Sequence, residues 1–279
     1  MTQVLHLGYS PCPNDTFIFC GLASGRVKTE PYNIEITLAD VEWLNRQALS
    51  ASLDITKVSI TAMLHILESY WLLGSGGAIG RGCGPLIVAR EAFPPSELME
   101  KRVAIPGRTT TANLLLQLSG LHRGPLHEMV FDQIMPAVRR GDVDAGVIIH
   151  EGRFTYPAYG LTQVLDLGAW WEKETGLPLA LGGIAVKRKL GSQVASFFED
   201  RVRESILHAR AHPEEVWPYV RQHAQEMAPD VIRSHIDMFV NDFSVETGEE
   251  GERAIRALLE AAAVRQNLPM PALPLFWSS

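Results

Sequence analysis

The sequence contains few cysteines and no long uninterrupted hydrophobic stretch. Its three cysteines, Cys12, Cys20 and Cys83, are odd in number and widely spaced, which matches neither a disulfide framework nor a zinc-binding motif. No apolar run reaches the roughly 18 residues that a membrane-spanning helix needs. The first residues also lack the basic and apolar segments of a signal peptide. We therefore expect a protein of the reducing cytoplasm that does not insert into a membrane.

An excess of basic charge is missing as well. The chain has 25 lysines and arginines against 32 aspartates and glutamates, for a net charge of −7, and it shows no basic stripe. This argues against a nucleic-acid partner. An acidic chain can still bind a small anion locally, through backbone amides and a few arginines. A small-molecule ligand therefore stays compatible with the composition.

Strands and helices alternate along the chain, as is typical of α/β proteins. With 279 residues, of which 46% are hydrophobic, there is enough chain for about two domains. The apolar periodicity predicts mixed, mostly parallel sheets flanked by helices and a helical C-terminal region. We predict a larger lobe, 1–90 and 185–279, and a smaller lobe, 91–184, joined by crossing strands. The predicted C-terminal helices are 192–210, 213–226, 229–240 and 249–264.

A titratable pair follows the apolar segment 145–149, which predicts a buried parallel strand. Ligands bind at the carboxyl ends of strands in open α/β sheets, so His150 and Glu151 form a candidate site. An imidazole with its usual pKa of about 6.5 is largely neutral at neutral pH and suits a general base. Glu151 could orient that imidazole, although neighbours on an extended chain point to opposite faces. Alternatively, His150 only caps the strand and bonds to a loop.

Three segments share a second pattern, in which a strand ends, hydroxyl side chains follow and a helix begins. They are 10–16, where Asn14 or Asp15 can cap the helix, 56–59 and 107–112. The free amides and partial positive charge of a helix start favour a carboxylate or phosphate. One such junction is weak evidence, because Ser, Thr and Asp cap helices widely. Three of them at strand ends in both halves predict one shared cleft.

Two further segments have both a functional and an ordinary interpretation. The glycine-rich segment 75–84 lacks the Gly-Lys-Ser/Thr ending of a phosphate loop. It predicts a tight backbone path near a ligand or hinge, or simply a pair of turns. Trp170 and Trp171 could form a flat wall for a ring substrate, but packing in the core or between lobes is the commoner role.

The same segments resemble a known family. Segments 10–19, 56–59, 75–82, 106–112 and 148–156 are similar to those of the menaquinone-biosynthesis family of 1,4-dihydroxy-6-naphthoate synthases, and the similarity runs nearly end to end. The resemblance implies a fold like the type II periplasmic binding proteins, with a ligand cleft between two lobes but without export. It also implies that cyclic dehypoxanthine futalosine is fragmented to 1,4-dihydroxy-6-naphthoate and a three-carbon dihydroxyacetone unit. Neither a metal nor an organic cofactor is implied.

The resemblance also implies roles for particular residues. His150 is implied as the proton acceptor. The residues implied as substrate contacts are Lys57, Val58, Ser59, Thr111 and Ala112. Their position in the matching motifs adds Ser10, Asn14 and Arg153, whose two-pronged guanidinium suits a carboxylate. Gly152 stands where the family has a serine, which affects a secondary contact but not the base.

Two other functions fit the same fold. One is chorismate dehydratase, an enzyme of the same pathway, and the other is a non-catalytic solute-binding protein for a small anion. The lack of a signal peptide or lipobox argues against the second. The segments 10–19 and 148–156 favour the synthase over the dehydratase by resemblance. No oligomeric state is predicted.

Overall fold

Two β-sheets flanked by helices form the chain in the computed structural model, which describes residues 3–224, 228–270 and 272–278. The strands are β1 (Gln3–Tyr9), β2 (Tyr32–Leu38), β3 (Ile55–Ser59), β4 (Tyr70–Leu72), β5 (Ala78–Gly80), β6 (Leu86–Ala89), β7 (Val103–Ile105), β8 (Leu126–Glu128), β9 (Ala145–Ile148), β10 (Thr162–Asp166) and β11 (Leu179–Lys187). The helices are α1 (Pro13–Ala23), α2 (Val41–Leu49), α3 (Ile60–Ile66), α4 (Thr111–Leu118), α5 (Phe131–Arg140), α6 (Gly152–Thr155), α7 (Leu167–Thr175), α8 (Ser192–Ala211), α9 (Pro213–His223), α10 (Pro229–Phe239), α11 (Asp242–Val245) and α12 (Gly248–Gln266).

Both sheets are mixed. The larger sheet has the order β2-β1-β3-β11-β4, with β5 also paired to β11, and the smaller has the order β10-β6-β9-β7-β8. In the larger sheet β1 runs parallel to β2 and β3, and β11 is antiparallel to β3, β4 and β5. In the smaller sheet β9 is parallel to β7 but antiparallel to β6. The long return strand β11 and the strand β6 supply all the antiparallel pairs of the described strands. The sheets are therefore mixed, as predicted, but not mostly parallel.

The central strands are buried along their whole length, as their sequences predict. Every residue of β3 and of β9 is buried, because helices cover both faces of a central strand in an α/β sheet. The amphipathic helix α5 leads into β9 and ends at Gly141, whose φ of 83° forms a left-handed C-cap. These packing constraints fix where β9 ends and therefore where the residues after it lie.

We propose that each sheet with its helices forms one lobe. The chain passes from the larger to the smaller sheet between β5 and β6 and returns between α7 and β11. Strand β6 lies within the segment 1–90, which is predicted for the larger lobe, but it pairs with β9 and β10 and so belongs to the smaller sheet. The first crossing segment touches the start of α7, because a Cβ on Gly84 would lie 2.2 Å from the Cα of Gly168.

Some predicted elements have different bounds. Helix α1 begins at Pro13 with Cys12 as N-cap and no side-chain cap, so the expected caps Asn14 and Asp15 lie inside its first turn. A proline is tolerated there because the first helical amide needs no helical partner. Residues 129–131, expected as a strand, lie after β8, and α5 starts at Phe131.

The C-terminal region is helical as expected. The end of the predicted helix 213–226 lies outside the described residues, and α9 is described to His223. Helix α12 packs against α3, α4 and β11, and so contacts both halves of the molecule. Within the described residues, no helix combines the length and apolarity that crossing a membrane requires.

Candidate functional site

A cleft lies where the two sheets face each other, with about 720 Å³ of empty space including its mouth. The predicted site residues that line it are Ser10, Asn14, Lys57, Val58, Ser59, Thr111, Ala112, His150 and Arg153. All nine residues named from the sequence therefore face one space. They follow β1, end β3, start α4 and follow β9, as the pattern of strand ends predicts.

A buried ion pair forms the floor on the larger-lobe side. Lys57 Nζ lies 2.8 Å from Asp15 Oδ1, and both side chains are almost completely buried. The carboxylate of Asp15 also accepts hydrogen bonds from the Ser10 hydroxyl at 2.8 Å and from Asn14 Nδ2 at 2.9 Å. Lys57 donates a second bond to the carbonyl of Gly76 at 3.0 Å. A buried charge pair is tolerable only with such additional hydrogen bonds, which here hold both side chains in place.

The helix starts at the cleft are ordered by hydrogen bonds around them. The Asn45 side chain accepts from the Ser59 amide at 2.9 Å and donates to the Ser59 hydroxyl at 3.0 Å. Thr110 caps α4 by accepting from the Asn113 amide, and the Thr111 hydroxyl donates to the carbonyl of Leu181. The backbone amides at the start of α4, together with its partial positive charge, suit an anionic group of a ligand.

His150 has an unusual backbone conformation. Its φ is 54°, in the left-handed region that non-glycine residues rarely occupy. Such strain is found preferentially at functional sites. The imidazole is half-buried, with the edge of Phe131 at 5.0 Å between ring centroids. Loss of solvent around the ring, opposed by the charge of Asp15, lowers the pKa of His150 to about 4. The ring is therefore neutral at neutral pH and able to accept a proton.

Glu151 does not face His150. Its carboxylate Oε2 lies 3.9 Å from Nδ1 of His235, on α10. Burial raises the pKa of Glu151. The expected orienting partner of His150 is thus turned to a different histidine, because the left-handed turn at His150 redirects the chain into α6.

Arg153 lines the cleft, but its guanidinium is already engaged. Nη1 donates to the carbonyl of Gly84 at 2.7 Å and Nη2 to Asp166 at 2.7 Å. These bonds tie α6 to the first crossing segment and to the end of β10. The side chain braces the cleft wall, and a contact with a substrate carboxylate stays a prediction.

The glycine-rich segment reaches the cleft and the tryptophans do not. Cys83 and Gly84 line it, and Gly84 needs its small size because of Gly168. Trp171 is buried in the core on α7 and Trp170 packs against that core, so their role is packing. Burial raises the pKa of Cys83 to about 12 and that of Cys12 well above its usual range. Neither thiol is a ready nucleophile.

Some cleft residues could not be found from motifs. Leu181, Gly182 and Phe239 come from β11 and α10, far along the chain, and carry no local signal. Asp15 was named only as a possible helix cap, although its place beside Asn14 in the same motif could have marked it. His235 gave no sequence signal at all. Among the described residues, no group of three His, Cys, Asp or Glu side chains is placed to hold a metal ion.

Taken together, the cleft can hold an anionic small molecule and remove a proton from it. A neutral imidazole, a buried ammonium with one N–H left, and amides at a helix start all face the same space.

Comparisons with known proteins identify the family of the chain. A protein-family model described as Menaquinone biosynthesis matches residues 5–264. The chain is 51% identical to the 1,4-dihydroxy-6-naphthoate synthase of Thermus thermophilus, covering 98% of this chain and 99% of that protein. It is 46% identical to the enzyme of the same name from Streptomyces coelicolor, covering 96% and 95%.

Solved structures show the same fold. A protein from Archaeoglobus fulgidus superposes with a TM-score of 0.89 at 36% identity, covering 95% of this chain and 98% of that one. The periplasmic aliphatic sulphonate binding protein of Escherichia coli superposes with a TM-score of 0.67 at 12% identity, covering 99% and 91%. The expected periplasmic-binding-protein-like fold is therefore confirmed. With the family model spanning most of its length, the chain belongs to the menaquinone-biosynthesis family.

Proposed function

We propose that this chain is a 1,4-dihydroxy-6-naphthoate synthase, a carbon–carbon lyase that converts cyclic dehypoxanthine futalosine to 1,4-dihydroxy-6-naphthoate and dihydroxyacetone. One observation carries the proposal: a single cleft gathers all nine residues that the family motifs point to. Two relatives that bear this activity as their name match the chain over nearly its whole length.

His150 acts as the general base in this proposal. Its lowered pKa keeps the ring neutral at neutral pH, so it accepts a proton from a substrate carbon activated by a neighbouring carbonyl or hydroxyl. Formation of the aromatic naphthoate then favours bond cleavage. A base with so low a pKa is weak in its resting state, and its proton acceptance depends on donors that stabilise the developing negative charge elsewhere.

Lys57 and the start of α4 are the donors available for that charge. The ammonium has three N–H bonds, and two of them go to Asp15 and Gly76, which leaves one for the substrate. The amides of Thr111 and Ala112 open α4, where a carboxylate is favoured. The naphthoate carboxylate binds there, and the reacting carbon lies across the cleft beside His150.

Neither alternative function has a specific observation in its favour. The periplasmic neighbour shares only 12% of its sequence with this chain and is informative about fold alone. Both named relatives are synthases and not dehydratases.

The test is incubation of the purified protein with cyclic dehypoxanthine futalosine and, separately, with chorismate, followed by chromatography and mass spectrometry. We expect 1,4-dihydroxy-6-naphthoate from the first and no change in the second. The Thermus thermophilus relative serves as a parallel control. Turnover by that relative without any naphthoate from this protein would refute the proposal, and consumption of chorismate would favour the dehydratase.

A further inference from the structure

A second histidine lies directly behind the cleft histidine. His235, on α10, is fully buried, and its ring lies parallel to that of His150, with centroids 6.0 Å apart and planes 7° apart. We propose that His235 is a positioning residue, which holds Asn14 and the ring of His150 in the arrangement that proton abstraction needs. The inference rests on the proposed function, because it gives His235 a part in that same reaction.

The neighbours of Asn14 determine which ring nitrogen of His235 carries a proton. Asn14 Nδ2 lies 2.9 Å from Asp15 Oδ1, a carboxylate oxygen that only accepts, so the amide group of Asn14 points its N–H toward Asp15. Its carbonyl oxygen then lies 2.9 Å from Nε2 of His235 and needs a donor. Nε2 therefore carries the proton, and Nδ1 of the neutral ring is an acceptor.

On the opposite side of the His235 ring, a second polar group lies close to Nδ1 but beyond hydrogen-bond distance. Nδ1 of His235 faces Glu151 Oε2 at 3.9 Å, and both atoms are buried without another hydrogen-bond partner among the described residues. Two acceptors facing each other would be unfavourable, whereas a proton on the carboxyl group lets Glu151 donate to Nδ1. Burial raises the pKa of Glu151 and so favours the protonated acid. A shift of about 1 Å brings the two atoms to ordinary hydrogen-bond distance.

These contacts form a buried series of polar side chains. It runs from Lys57 through Asp15 and Asn14 to His235 and then to Glu151. Both ends belong to the cleft region: Lys57 lines it, and Glu151 directly follows the cleft residue His150. Such a chain transmits a fixed orientation, because turning any one member leaves its buried neighbours without partners.

His235 connects these polar contacts to His150, because its ring packs against the ring of His150. Among the described residues, no hydrogen bond holds either ring nitrogen of His150, and its ring lies between the edge of Phe131 and the face of His235. Burial together with the nearby His150 lowers the pKa of His235 well below its usual range. A neutral His235 lets His150 take up a proton without a second positive ring beside it.

Charged groups approach this histidine pair from several elements. Asp15 from α1 and Asp40 before α2 favour the protonated form of His150, and Lys57 from β3 favours the neutral form. On the other side, Asp132 from α5 faces Glu151 and favours its protonation. The positioning role of His235 is therefore separate from the direct electrostatic effects on His150.

Two substitutions separate the hydrogen bond from the ring. His235→Gln retains a donor for Asn14, whereas His235→Phe retains a ring against His150 but no donor. Loss of one buried hydrogen bond costs about 1–3 kcal/mol, so we expect His235→Phe to lower kcat by roughly 10- to 100-fold with KM within about threefold. His235→Gln keeps the bond to Asn14 but loses the ring face against His150, so we expect it to recover most but not all of kcat, to within about fivefold of the wild type. As a matched control, His122→Phe removes a ring nitrogen bonded to the carbonyl of Lys101, outside the cleft, and should leave kcat unchanged.

The outcomes decide between positioning and a merely structural role. A structural His235 would lower the unfolding temperature of both variants but leave kcat per folded molecule at the wild-type value. That result, or equal kcat losses in the Gln and Phe variants, would overturn the inference.

Two substitutions of Glu151 test its contact with His235. Glutamine keeps a donor toward Nδ1 of His235 and leucine does not. We expect Glu151→Gln to retain more than about a third of kcat and Glu151→Leu to lose as much as His235→Phe; equal losses would exclude a neutral acid.

A measurement on the wild-type protein covers the case in which a variant does not fold. The ring ¹⁵N shifts of His235, assigned through NMR contacts with the ring of Phe239, whose centroid lies 4.8 Å away, report its tautomer. Since the pKa of His235 is well below its usual range, we expect a neutral ring with the proton on Nε2 throughout the pH range in which an ordinary histidine titrates. A proton on Nδ1, or titration near pH 6.5, would overturn the inference. If the wild-type protein forms no naphthoate, the proposed function itself fails; if it does and the His235 variants behave as wild type, only this inference fails.

Discussion

The two walls of the cleft differ in how firmly their side chains are held. On the larger-lobe wall, Ser10, Asp15 and Lys57 are almost completely buried and joined by hydrogen bonds and an ion pair. On the smaller-lobe wall, His150 is half-buried, its backbone is left-handed, and packing alone holds its ring among the described residues. The first wall is a preorganised charge environment. The second presents a reactive group on a strained turn.

The difference suggests a division of labour. Electrostatic stabilisation works best when the donors are already in place, because no reorganisation is needed during the reaction. A base must instead approach the substrate carbon closely and move away once protonated. The left-handed backbone of His150 costs about 1–2 kcal/mol, which the surrounding packing has to offset.

The largest effect should come from the reactive wall. His150→Asn removes the base but keeps a side chain that tolerates the left-handed backbone. Loss of a general base costs about 10²- to 10⁴-fold in rate, so we expect kcat to fall by about three orders of magnitude with an unchanged unfolding temperature. Steady-state kinetics and thermal unfolding of the same preparation measure both. A kcat within tenfold of the wild type would remove His150 from its role.

The next largest effect should come from the larger-lobe wall, where Lys57 and Asp15 form a buried ion pair. Lys57→Met leaves Asp15 buried without its cation, and breaking such a pair costs about 3–5 kcal/mol of stability. Lys187→Met is a matched control, because Lys187 and Asp54 form a comparable buried pair at 3.0 Å outside the cleft. We expect denaturant unfolding to show similar losses in both variants. Only Lys57→Met should also reduce kcat, by roughly 100-fold, and similar activity in the two variants would contradict this comparison.

The pH dependence distinguishes the neutral base from an ordinary histidine. The pKa of His150 is lowered to about 4, and the base is inactive only when protonated. We therefore expect kcat/KM to stay level from pH 8 to about pH 5 and to fall near pH 4. An acid limb at pH 6.5 or above would contradict the buried environment.

Stability must be followed over the same pH range. The pKa values of His150 and His235 are lower in the folded protein than the ordinary 6.5 of the unfolded chain. The unfolded state therefore binds more protons between these values, and stability that is present above pH 6.5 is lost as the pH falls. Circular dichroism at each pH separates this loss from protonation of the base.

The smallest expected effect concerns the hydrogen bonds that join the two walls of the cleft. Glu42, on α2 of the larger lobe, accepts hydrogen bonds from the amide and hydroxyl of Thr109 across the cleft. Glu42→Leu removes them, and a net loss of about 1 kcal/mol should raise KM roughly fivefold with little change in kcat. As a control, Asp144→Leu removes a carboxylate that accepts from Arg102 within the smaller lobe and should leave KM unchanged. Equal KM values in the two variants would contradict a role for this contact.

The same contrast explains how much the sequence could predict. Residues near the carboxyl ends of strands, such as Lys57, Thr111 and His150, were identifiable because these ends meet at one edge of a sheet. Strand β8 and the start of α1 were misplaced by a few residues, since Pro13 fits the first turn of a helix as well as a loop. Element boundaries depend on tertiary contacts that local patterns do not record.

The directions in which side chains point could not be predicted from the sequence. Glu151 appeared to be a partner for His150, but the left-handed turn sends it toward His235 instead. His235 lies 85 positions after His150 and sits on an ordinary amphipathic helix. Only the packing of α10 against α1 and β5 brings it behind the cleft.

The most direct test of the account is a count of substrate and products with the wild-type protein. Cyclic dehypoxanthine futalosine is supplied in large excess over the enzyme, and its consumption is measured together with the formation of 1,4-dihydroxy-6-naphthoate and dihydroxyacetone. We expect many turnovers, with one molecule of each product for each substrate consumed. Tight binding of the substrate without its consumption would contradict the account, because the cleft would then serve binding alone.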